Sequence, residues 1–155
     1  MMRDELNAAM KAAMRAQDKA RLGTIRLILA AIKDRDLAIL NKSGDAGAEA
    51  SRISDGEIAQ LLATMIKQRR ESIRVYEEAG RLELAQKEAD EILVISEFLP
   101  PQLDDEEARA AIKGVITETG ATSVKDMGRV MAVLRERYRG QMDFAKASAL
   151  VKELL

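Results

Sequence analysis

Glu97-Phe98-Leu99-Pro100-Pro101-Gln102-Leu103 is the stretch on which this chain is organised. A helical pattern running from Leu82 stops here, because each proline lacks an N–H and restricts the residue before it. These are the only two prolines among 155 residues. Phe98 and Leu99 are apolar just before the break and Leu103 just after it. The stretch therefore reads as a packed joint between two helical bodies; the alternative is a sharp corner between helices of one domain. The first reading divides the chain into an elongated N-terminal helical bundle at 1–96, the joint at 97–103, and a small three-helix C-terminal domain at 104–155. The expected fold class is all-α.

Upstream of the joint, Leu6, Ala9, Met10 and Ala13 recur at helical spacing over 4–16. Asp18 is a plausible cap for a second helix whose apolar face is Leu22, Ile25, Ile28, Leu29, Ile32, Ile39 and Leu40. Residues 41–51, with Gly44 and Gly47, read as a loop, and a phosphate-cradling role there is unsupported because the glycines follow a helix rather than a strand. Ser54-Asp55-Gly56-Glu57 is a capping box opening a helix that Gly80 ends. A fourth helix over 82–99 is expected to bury Leu82, Ala85, Ala89, Ile92, Leu93 and Leu99. Downstream, Asp104 or Asp105, the box-like Ser123-Val124-Lys125-Asp126, and Asp143 each start a short helix. Gly120 and Gly140 end the first two.

Composition narrows the chemistry. Hydrophobic residues are 47% but aromatics only 3%, so the core must be aliphatic with help from eight methionines, which suits helix-on-helix packing. There is no cysteine, which fits a reducing compartment, and no histidine, which removes the commonest general base near neutral pH. Neither a Ser-His-Asp triad nor a Cys-His pair can be built. A Ser-Lys arrangement is allowed by composition, but no serine stands in an elbow context. Glu88, Asp90 and Glu91 on one acidic helix are poor grounds for a metal. No catalytic residue, metal site or cofactor is assigned. No apolar run approaches the ~20 residues of a membrane span, nor is there a signal-peptide pattern at the start. A soluble cytoplasmic protein is the expectation.

The net charge of −1 hides polarity. Over 97–118, six acids oppose Arg109 and Lys113; over 125–152, seven bases oppose Asp126, Glu136 and Asp143. On a helix starting at Ser123, Lys125, Arg129, Glu136 and Arg139 lie opposite the apolar face, with Arg135 at the edge. Such a stripe is the footprint expected for a phosphate backbone, and the rival reading is a solvated face. Lys146 and Lys152 extend the candidate RNA-binding set. A secondary basic cluster is Lys67, Arg70 and Arg74. Arg69 instead points into the apolar face of its helix, where an unpaired guanidinium is costly. Asp36, similarly placed on the second helix, is its expected structural partner.

The joint resembles the "(Y/F)LPxQL" segment of the YqeY-like family, which is related to the tail of the B subunit of glutamyl/aspartyl-tRNA amidotransferase. Ala79-Gly80-Arg81, Asp126 to Met131, the closing Val151-Lys152-Glu153-Leu154-Leu155 and the early Arg26 to Lys33 run match in order. The chain departs from the family at Gly140-Gln141-Met142-Asp143-Phe144, where a basic residue often follows the glycine. The resemblance implies a helical body followed by a small helical tail that contacts tRNA in relatives, and a partner that is a tRNA amidotransferase or an aminoacyl-tRNA synthetase. The resulting expectation is a non-catalytic accessory module that binds tRNA or associates with tRNA-dependent machinery. The alternatives are a protein–protein interaction module without RNA contact and a carbon–nitrogen ligase using glutamine. Oligomeric state is left open.

Overall fold

The computed structural model describes residues 1–43 and 52–155, and among them it is all-α, without a strand. The helices are α1 (Met2–Arg15), α2 (Lys19–Ser43), α3 (Asp55–Glu78), α4 (Leu82–Ser96), α5 (Asp105–Thr119), α6 (Met127–Arg137) and α7 (Phe144–Leu154). A single 3-10 turn, Val124–Asp126, precedes α6. The chain divides into two compact units, Met1–Leu99 and Pro100–Leu155. Among the described residues no helix is long and apolar enough to cross a membrane.

The first unit closes around Leu6, Ile28, Ile32, Ile58, Leu62 and Ile95, all at most 2% exposed. Its helices turn by a repeated device. After α3, the Arg81 N–H donates to Tyr76 O at 2.8 Å and the Gly80 N–H to Glu77 O at 3.0 Å, with Gly80 at φ +72°. This is a Schellman turn, which needs a left-handed residue and so favours glycine. The α1–α2 turn repeats the pattern without a glycine: the Asp18 N–H donates to Ala13 O and the Gln17 N–H to Met14 O, with Gln17 at φ +56°. Asp18 then caps α2 by accepting from the Arg21 N–H at 3.1 Å. The capping box at Ser54 is formed, its Oγ accepting from the Glu57 N–H while Glu57 Oε1 accepts from the Ser54 N–H.

The structure departs from the sequence pattern at three places. Helix α2 continues through Asn41 and Lys42 to Ser43, where a loop was expected; the rest of that stretch, with Gly44 and Gly47, lies outside the described residues. Leu82 and Leu93 are 66% and 68% exposed, not buried. The inward side of α4 is Ala85, Ile92 and Ile95, flanked by Glu88 and Glu91, which meet Arg69 of α3. Turning those carboxylates toward α3 leaves Leu82 and Leu93 on the opposite side of a 3.6-residue helix. Finally, Ser123 caps nothing with its side chain; Asp126 Oδ2 instead accepts from the Thr122 N–H at 3.0 Å, and the chain there is 3-10.

The double proline is not a body of its own. Phe98 and Leu99 pack onto the first core, whereas Leu103 packs onto the second.

Candidate nucleic-acid interface

The second unit is built on Ile112, Val115, Val130, Leu134 and Val151, none more than 1% exposed. Asp104 caps α5 by accepting from the Glu107 N–H, and Asp143 caps α7 by accepting from the Ala145 N–H. Gly120, at φ +67°, ends α5 in a third Schellman turn through the Ala121 N–H to Ile116 O and the Gly120 N–H to Thr117 O. Gly140, at φ +78°, follows α6.

The α6–α7 turn is tied to the stretch after the prolines. The Gln102 Nε2 donates to Gly140 O at 2.5 Å and to Pro100 O at 3.0 Å, and the Leu103 N–H donates to Gln141 O at 2.9 Å. Gln102 thus does more than follow a break: it holds the backbone of the turn that carries Arg139. Nothing in the residue pattern alone signalled this, because the bonded positions are 38 apart.

Not all of the expected basic stripe survives intact. The α-helix covers Met127–Arg137 only, so Lys125 in the 3-10 turn and Arg139 beyond the helix end are not on the regular wheel that placed them. Arg129 donates to Asp126 at 3.1 Å. Arg137 forms a two-pronged pair with Glu118 at 2.6 Å, and this guanidinium holds the Glu118 carboxyl below its usual range. Arg109 lies 3.8 Å from Glu153. Lys125, Arg135, Arg139, Lys146 and Lys152 are exposed and make no ion pair among the described residues; exposed Lys113 on α5, which the sequence reading left out of its set, joins them. None of these side chains is folded onto the acids at 104–107. Surface pairs such as Arg129–Asp126 are each worth only ~0–1 kcal/mol, so a phosphate can displace them at small cost.

The secondary cluster is divided in the same way. Arg74 is held by Glu71 at 2.5 Å and Glu78 at 2.8 Å on its own helix. Lys67 and Arg70 are exposed and line a shallow groove with Thr64, Gln68 and Glu71.

The expected Asp36–Arg69 pair does not form; each residue has a different partner. Asp36 accepts from both Arg3 Nη atoms at 2.8 Å and from the Ile53 N–H at 2.8 Å, while Arg3 also donates to Ile53 O at 3.0 Å. Arg69 donates to Glu91 at 2.8 Å, with Glu88 at 4.0 Å. Both charges do find partners, supplied by α1 for Asp36 and by α4 for Arg69. The Arg3 guanidinium, then the Ile53 N–H, holds the Asp36 carboxyl below its usual range against the opposing effect of burial. A depressed carboxyl pKa stabilises the fold fully above the unfolded value of about 3.9, and this is lost as pH falls through the lower folded value. Asp36→Asn should therefore cost ~1–2 kcal/mol at pH 7. In denaturant titrations from pH 7 to pH 2, the difference from the unsubstituted protein should shrink toward zero. A pH-independent difference would separate Asp36 from the acid response.

The family model described as Yqey-like protein matches residues 3–155. Among curated proteins, the chain is similar to "Altered inheritance of mitochondria protein 41, mitochondrial" of Clavispora lusitaniae, 30% identical over 118 residues, covering 75% of this chain and 63% of that protein. The proteins of the same name from Kluyveromyces lactis and Lachancea thermotolerans are 29% and 28% identical over 115 residues, 73% of this chain and 57% of theirs. The chain thus spans about three fifths of the length of the curated relatives it matches.

Proposed function

This chain belongs to the YqeY-like family, and from that premise we propose that it is a non-catalytic accessory module of tRNA-dependent amidation or aminoacylation that contacts tRNA phosphates. The observation that carries the reading is the set Arg135, Arg139, Lys146 and Lys152, with Lys125 and Lys113, exposed on the second unit and making no ion pair among the described residues. Arg129 belongs to the same set once its surface pair with Asp126 gives way. Cations left without an internal partner neutralise phosphates at no loss of protein contacts, and the released counterions drive association. The aromatics of the chain are too few to supply stacking platforms, so the reading is backbone contact rather than base readout. With no histidine or cysteine in the chain, the chemistry is assigned to the partner enzyme. A cytoplasmic setting, expected from the cysteine-free composition, is part of this proposal.

Titration of the full chain with unfractionated tRNA at several salt concentrations tests it. Affinity should fall steeply with salt, with a slope near −0.9 for each phosphate neutralised. Arg135→Glu with Arg139→Glu should weaken binding by more than tenfold and reduce the slope by about 2. Unchanged affinity in that variant, with its fold intact, would remove this surface from the proposal.

A further inference from the structure

Helix α2 is apolar on more than the side it buries. Ile25, Ile28 and Ile32 face the core at 0–2% exposure, yet Leu27 and Leu37 on the opposite side are 47% and 45% exposed. A surface helix whose inner stripe is already satisfied ordinarily carries polar residues there. The exposed positions follow a seven-residue repeat: Ala20, Gly23, Leu27, Ala30, Asp34, Leu37 and Asn41 are spaced alternately three and four apart, and all are exposed. That is the spacing of a two-helix seam, sustained for three repeats. Along one border run Lys19, Arg26 and Lys33, seven residues apart; the other border is Thr24, Ala31 and Ala38, with Arg35 and Lys42 farther round the helix. All five are exposed and none makes an ion pair among the described residues.

We propose that this face of α2 docks an acidic amphipathic helix of a partner protein, with apolar residues seated along Leu27, Ala30 and Leu37 and carboxylates along the border of Lys19, Arg26 and Lys33. Charge selects the occupant. A second copy packed antiparallel would bring Lys19, Arg26 and Lys33 against the same three residues, like against like. Packed parallel, it would set that row against Thr24, Ala31 and Ala38, which offer no anion. A phosphate backbone would satisfy the cations but has nothing to place on the leucines beside them. The surface belongs to the first unit and uses none of the second unit's cations, so its fate does not depend on the tRNA proposal.

The probe is a pair of synthetic helical peptides with leucine at seam positions and one lysine at the layer facing Asp34. One carries glutamate and the other lysine along both borders, and each is titrated against the full chain by fluorescence anisotropy. The acidic peptide should bind at least tenfold more tightly than the basic one and weaken as salt rises. Leu27→Asp with Leu37→Asp should reduce its affinity at least tenfold with the melting temperature kept, since both leucines are half exposed. Arg26→Glu with Lys33→Glu should reverse the preference between peptides. Equal binding of the two peptides, absence of binding, or affinity unaffected by the leucine changes would overturn the proposal. So would a self-associated chain that the leucine changes dissociate, which assigns the face to a second copy, or tRNA binding lost with those changes, which assigns it to RNA.

Discussion

Leu134→Ala is expected to unfold the second unit of the full chain well before the first. Leu134 is 0% exposed and sits with Val130 and Met131 on the inner side of α6. Truncating such a leucine costs ~3–5 kcal/mol through lost transfer energy plus the cavity left behind. A unit of this size commands only ~3–5 kcal/mol in total. Methionines report on both bodies: Met131 and Met142 are buried in the second core and Met65 in the first. On heating, the methyl resonances of Met131 and Met142 should collapse at least roughly 15 °C below their ordinary transition, with Met65 unaffected. Leu93→Ala, at a site 68% exposed, should move neither. Simultaneous loss of all three resonances would show that the two units melt as one cooperative body.

The second large effect concerns Arg69. Its side chain is 14% exposed and its partners Glu91 and Glu88 are 15% and 22% exposed. Arg69→Met would leave two partly buried carboxylates facing an apolar side chain, at a cost of ~2–4 kcal/mol, because breaking such a pair is far worse than never having it. The melting temperature of the first unit should fall by roughly 10 °C or more. Arg69→Met combined with Glu91→Leu and Glu88→Gln should recover most of the loss, since no partly buried charge is then left without its partner. A single variant within about 0.5 kcal/mol of the unsubstituted chain, the level of ordinary surface substitutions, would deny the pair a structural role.

The pair also shows how much of the molecule was legible beforehand. That Arg69 and Asp36 lie off the solvent face follows from helical spacing, a local property. Which charge each meets depends on the neighbouring helix and its rotation, and these are tertiary quantities. Asp36 met Arg3, 33 residues away, and Arg69 met Glu91, 22 away. The same limit explains Leu82 and Leu93: several apolar residues allow more than one phase for α4, and Glu88 and Glu91 decided it. The candidate site was legible as a cluster of bases. Their availability was not, because Arg129 and Arg137 had acids within reach that only the packing of α5 and the 3-10 turn revealed. Gln17 was invisible for a different reason: a non-glycine residue in a left-handed turn carries no compositional signal.

Periodicity, caps and breakers by themselves determined that the chain is helical, where most of its helices start and stop, and that Pro100 and Pro101 mark a division. These are short-range effects: a missing N–H, a cap side chain three residues from its donor, a glycine free to take positive φ. The tertiary structure alone decided which carboxylate meets which guanidinium, which face of α4 turns inward, and which cations have no ion pair among the described residues, because charge pairing and burial depend on groups brought together from distant parts of the chain.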